Sequence, residues 1–207
     1  MDTTKDANNK QKKQRTFPTV APLQKKTLKQ FDQIMKECAT VFIKKTKDYG
    51  TSWRILRPSS LTDQLYIKAK RIRSIEEKGQ QKVEDSIASD YMGLVNYSIL
   101  AIIQLTMDYT APLELEPKIA VEWYEDQVNI TRDLLISKNH DYGEVWREMR
   151  LSSMTDLILM KLLRIKQIED NKGETLISEG VDANYRDIIN YAIFSLIKLE
   201  EQKNQKK

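Results

Sequence analysis

The chain says most of what it says twice. Lys45-Thr46-Lys47-Asp48-Tyr49-Gly50 recurs as Lys138-Asn139-His140-Asp141-Tyr142-Gly143, and Trp53-Arg54 as Trp146-Arg147. Ser59-Ser60-Leu61-Thr62-Asp63 recurs as Ser152-Ser153-Met154-Thr155-Asp156, and Lys68 and Arg71 as Lys161 and Arg164. Past a one-residue insertion near Gly79 and Gly173, Tyr91 and Asn96-Tyr97 match Tyr185 and Asn190-Tyr191. Agreement in this order marks a duplication, and two copies are too few for a solenoid. The expected product is a pseudo-symmetric pair.

Each copy reads as three helices. The first spans about 21–47 and 118–140 and stops at Gly50 or Gly143, glycines that can take the left-handed conformation a helix end uses. The second opens on Ser60-Leu-Thr-Asp63 or Ser153-Met-Thr-Asp156, a capping box with Asp for Glu, and ends near Gly79 or Gly173. The Ser59-Ser60 and Ser152-Ser153 pairs fall where caps belong and show no nucleophile environment. The third helix spans about 85–109 and 181–201. No stretch alternates with period two long enough for a strand. The fold class is therefore all-α, two tandem three-helix repeats packed as one bundle. The organisation is a disordered basic tail over 1–20, repeat one over 21–110, a linker over 111–117, repeat two over 118–201 and a basic tail over 202–207. A linker so short packs the halves together.

Composition narrows the function. Net charge is +4, but the first fifteen residues hold five basic against two acidic side chains, and the last eight hold three against two. The middle is balanced, so nucleic-acid binding has support only in the tails. The lone Cys38 forms no internal disulfide, and there is no CxxC for zinc or redox chemistry. The N-terminus lacks an apolar signal stretch, and no run is long enough to span a membrane. A soluble cytoplasmic protein is expected, with homo-oligomerisation left open.

On a helical wheel Lys68 lies amid Leu61, Leu65, Ile72 and Ile75, and Lys161 amid Met154, Ile158, Ile165 and Ile168. Arg71 and Arg164 fall one turn on. An unpaired ammonium on an apolar face costs several kcal/mol, so a repeated one implies a partner: a protein carboxylate or a ligand phosphate. A lysine that snorkels outward would need neither. Asn96 and Asn190 interrupt the apolar third helices and need hydrogen-bond partners there. Asp187 shares a face with Asn190 and is an acidic partner for Lys161 and Arg164; repeat one has Gly93 instead, with Asp90 one turn earlier. Glu179, Asp182 and Asp187 surround the start of the last helix and suit Mg²⁺ with a substrate phosphate, though acids there also favour the helix dipole. In the Asp-Tyr-Gly-x-x-Trp-Arg segment, Tyr49 and Tyr142 or Trp53 and Trp146 can stack on a base while Arg54 and Arg147, or Arg57 and Arg150, meet a phosphate. Packing of the helix hairpin is the alternative.

This set, Lys-x-x-Asp-Tyr-Gly-x-x-Trp, then Lys-x-x-Arg-Ile, then Asp-x-x-Asn-Tyr-Ala, resembles the nucleotide modification associated domain 1 family. Repeat two carries it most fully, through Lys138, Asp141, Tyr142, Gly143, Trp146, Lys161, Arg164, Ile165, Asp187, Asn190 and Tyr191. Repeat one departs at Gly93. The family name implies a link to modified nucleotides. A broader likeness is to the all-α NTP pyrophosphatases of the MazG kind, which hold Mg²⁺ with paired acidic helices. Glu179-Gly-Val-Asp182 has the spacing of one of those helices, and no Glu-x-x-Glu lies on the first or second helices.

The leading expectation is a nucleotide-binding or nucleotide-processing protein, its partner a nucleotide or nucleotide-derived small molecule. Lys138, Lys161 and Arg164 would meet phosphate, Tyr142 and Trp146 the base, and Asp187 and Asn190 would orient them or hold a metal. Asp48, Tyr49, Trp53, Lys68, Arg71 and Asn96 would form a second, weaker site or a structural partner, with Asp141 and Arg147 completing the first. The competing expectation is a non-enzymatic helical interaction protein in which every repeated polar residue is a cap or a buried pair. The residues leave open whether any reaction is catalysed.

Overall fold

The computed structural model describes residues 22–108 and 110–205, so the expected tail over 1–20 lies outside the described residues. Six helices account for the repeats: α1 Pro22–Tyr49, α2 Pro58–Lys78, α3 Ile87–Thr106, α4 Pro117–Tyr142, α5 Leu151–Asp170 and α6 Val181–Gln205. A 3₁₀ turn, Ser52–Ile55 or Val145–Glu148, joins the first helix of each repeat to the second. The last helix runs past Glu201 through much of what the sequence suggests is a tail.

The chain reverses after α1 at Gly50, whose φ of 63° belongs to the left-handed region. A Cβ there would also lie 2.2 Å from the Glu114 carboxylate of the linker, so two constraints meet at one residue. The expected capping boxes are not formed. Arg57 and Arg150 occupy the N-cap positions without a side-chain cap, and the serines lie inside the first turn. Pro58 explains the shift in α2: its fixed φ and missing N–H suit the first helical position. A serine does cap α3, where Ser86 Oγ accepts from the Ser89 N–H at 3.2 Å.

Like packs on like: α3 against α6 at the centre, α2 against α5, α1 against α4. The apolar runs of α3 and α6 account for this. Leu94, Val95, Ile99, Ala101, Ile188, Ile189, Ala192, Ile193 and Ile197 are fully buried in one core shared by both repeats. The Thr62 hydroxyl of α2 reaches across the centre to Tyr185 (2.7 Å) and Glu169 (2.7 Å). Its counterpart Thr155 reaches to Tyr91 (2.8 Å) and Glu76 (3.0 Å). An ionised carboxylate can only accept, so each chain runs tyrosine to threonine to glutamate. This reciprocal exchange is the signature of a two-fold relation between the halves.

Candidate functional site

In repeat one the 3₁₀ turn leaves a gap between α1, α2 and α3. The gap is a cleft of about 530 Å³. Phe42, Leu56 and Leu100 form apolar wall, Trp53, Tyr49 and Tyr97 aromatic wall, and Lys45 and Lys68 bring charge. Gly93 and Asn96 of α3 complete the lining. Asn96 is engaged at both ends: its amide donates to the Cys38 carbonyl (3.2 Å) and its carbonyl accepts from Tyr124 of α4 (2.7 Å). Burial pushes the nearby Cys38 thiol up to about 12, which leaves no thiolate nucleophile there.

The cations around this cleft are unequally matched. Asp90 pairs with Arg71, and Lys68 Nζ stands 3.7 Å from the same carboxylate. Arg71 also donates to the Asp85 carbonyl at 2.7 Å. Lys45, on the exposed lip, has no ion pair among the described residues. Lys68 Nζ lies 5.8 Å from the centre of the Tyr97 ring, close enough for a cation–π attraction.

Repeat two turns the same residues inward. Lys161, 9% exposed on the apolar stripe, has the acidic partner its position demands: Asp187 Oδ2 at 2.6 Å. Lys138 grips the other oxygen at 2.5 Å. Burial alone would raise the Asp187 carboxyl, but the two lysines outweigh it and hold it below the usual range. Trp146 is buried and stacks on Phe194 with centroids 4.2 Å apart. Repeat one has Leu100 at that position, and Trp53 stays half-buried beside its cleft. The motif is fullest in repeat two, yet the cleft described above belongs to repeat one.

Other expected site residues serve elsewhere. Arg147 donates to Glu144 (2.6 Å), Thr27 (2.6 Å), Gln30 (3.0 Å) and Glu201 (3.2 Å), tying the 3₁₀ turn to α1 and α6 rather than awaiting a phosphate. Arg54 does the same in repeat one, buried against Gln104 (2.6 Å) and the linker carbonyls of Ala111 and Pro112. Arg164 is exposed and faces the 171–180 loop, not Asp187. Asp48, Asp141 and Tyr142 are exposed, Tyr142 at 76%. Asn190 is buried and neither amide atom has a partner. Phe31 of α1 occupies the position that Tyr124 holds in α4, so the hydroxyl that satisfies Asn96 has no counterpart.

Among the described residues no three acidic, histidine or cysteine side chains gather as a metal ion would require. Glu179 precedes α6, Asp182 is exposed in its first turn, and Asp187 is committed to lysines. The Glu179-x-x-Asp182 spacing therefore straddles the start of α6 rather than lying along one helix, and the likeness to Mg²⁺-dependent pyrophosphatases has no support in the geometry. Sequence reasoning left Lys45, Gly93 and Tyr97 out of the site. The repeat register was the available signal, since Lys45 aligns with Lys138 and Tyr97 with Tyr191.

An all-α protein of two interlocked repeats, with a motif-lined cleft in repeat one, is the class that this geometry defines. The family model for nucleotide modification associated domain 1 matches residues 45–105 and again 138–199, more than half of the chain. The chain belongs to that family, in tandem. No curated protein and no solved structure matches it.

Proposed function

We propose that this protein binds a nucleotide in the cleft of repeat one, with the base against Trp53 and Tyr97 and the phosphate toward Lys45 and Lys68. One observation carries the reading: the family's own motif residues line a cleft of about 530 Å³ that combines aromatic walls with two lysines. Such a volume is ordinary for a small-molecule site. Base stacking on an aromatic side chain contributes about 1–3 kcal/mol. The family's association with nucleotide modification agrees with a ligand of this chemistry.

The test is a thermal-shift series with nucleoside mono-, di- and triphosphates, ribo and deoxy, each with and without Mg²⁺, followed by chromatography for turnover. Ligand at a hundred times its dissociation constant stabilises by about 2.7 kcal/mol, a rise of roughly 5–10 °C for a chain of this size. Trp53→Ala should remove the rise. A flat series at millimolar nucleotide refutes the reading. It would favour a helical interaction protein, for which the fully exposed Leu176 and Ile177 of the 171–180 loop are the supporting observation.

A further inference from the structure

The two repeats differ at one position that matters more than its size. Asp187 of α6 aligns with Gly93 of α3. In repeat two the Asp187 carboxylate sits between Lys138 (2.5 Å) and Lys161 (2.6 Å) and is nearly buried. Their counterparts Lys45 and Lys68 both line the repeat-one cleft, where α3 offers only the bare backbone of Gly93. Lys68 has moved into the room this leaves: a Cβ on Gly93 would stand 2.8 Å from its Cδ and Cε and 3.1 Å from its Nζ. The acid of repeat one lies a turn earlier, at Asp90, and its main partner is Arg71. Two lysines that one carboxylate neutralises in repeat two thus flank a cleft without that carboxylate in repeat one.

We infer that the Asp187 carboxylate stands in repeat two where repeat one takes up an anionic group of its ligand, so that repeat two is self-occupied and the chain binds a single anionic ligand through Lys45 and Lys68. A carboxylate and a phosphate present similar oxygens to an ammonium, and charge-assisted bonds to either are of the strong kind. A tethered carboxylate competes at high effective concentration, so a free anion does not displace it. The Trp146–Phe194 stack closes the aromatic half of repeat two in the same sense. Two ammonium groups, one of them partly shared with Asp90, match a terminal monophosphate. The ligand's being a nucleotide rests on the function proposed above; the anion position does not.

The experiment is lysine acylation followed by mass spectrometry, on the full chain, with inorganic phosphate and separately with nucleoside monophosphates as probes. In the wild type, Lys45 and Lys68 should react readily and Lys138 and Lys161 slowly. Either probe should slow Lys45 and Lys68 about tenfold at ten times its dissociation constant, the fraction left free at that occupancy. Gly93→Asp should slow the same two lysines and abolish the effect of the probe, while the isosteric Gly93→Asn should leave it. Asp187→Gly should release Lys138 and Lys161 and create a second phosphate-protected pair; should that variant not fold, the Gly93 pair decides alone. Unchanged Lys45 and Lys68 rates with phosphate, or equal behaviour of Gly93→Asp and Gly93→Asn, overturns the inference. Protection by phosphate but by no nucleotide would uphold it and sink the nucleotide reading. Nucleotide-induced stabilisation without protection of these lysines would do the reverse.

Discussion

Replacing Lys161 by Met separates a structural lysine from a ligand-binding one. Methionine keeps most of the stem that packs on the apolar stripe and removes only the ammonium. Removing one member of a buried pair costs about 3–5 kcal/mol when the other charge is left alone. Asp187 is not left alone, because Lys138 still holds it at 2.5 Å. What disappears is one charge-assisted hydrogen bond, about 1.5–3 kcal/mol. The expected loss is therefore about 2 kcal/mol, or a fall in Tm of roughly 4–8 °C for a chain of this length. Urea unfolding of Lys161→Met, Asp187→Asn and the double variant reads the coupling directly. The double variant should be less destabilised than the sum of the singles by about 1 kcal/mol or more, as expected for residues in contact. Coupling within the error of additivity, about 0.5 kcal/mol, would refute the claim that Asp187 is the partner of Lys161. Nucleotide-induced stabilisation should survive the substitution, since Lys161 belongs to the occupied repeat.

Thr62→Val and Thr155→Val should each cost about 1–3 kcal/mol in urea unfolding, because each leaves a buried tyrosine hydroxyl and a half-buried glutamate without their bridge. The acid limb of stability should depend on Asp187. Its folded pKa lies below the unfolded one, so its contribution is complete above about pH 4 and is lost as pH falls through the folded value; Asp187→Asn should flatten that limb. Glu76 and Glu169 have the opposite sign: burial raises both carboxyls, against the threonine hydrogen bonds that lower them. Stability should rise as pH falls toward the ordinary glutamate value, and Glu76→Gln with Glu169→Gln should abolish that slope.

Much of this molecule is legible in one dimension. The duplication, the all-helical class, the two-fold pairing of halves and the glycine after each first helix follow from repeated letters and the 3.6-residue period, because local propensity and apolar spacing act along the chain. So does the demand that a lysine on an apolar stripe find an acid, which Asp187 meets in space as its place on the helix suggests. Helix starts were less legible: Pro58 took the first helical position and left the serines inside the helix.

What only the tertiary structure decided is which copy of the motif is available. The letters are most complete in repeat two, and completeness there means closure. Asp187 pairs with both lysines, Phe194 stacks on Trp146, and Arg147 is spent on α1 and α6. In repeat one a glycine and a leucine at the matching positions leave the lysines and the tryptophan beside a cleft. The physical reason is that a side chain's availability depends on what its three-dimensional neighbours already satisfy, and those neighbours lie on other helices, far away in sequence.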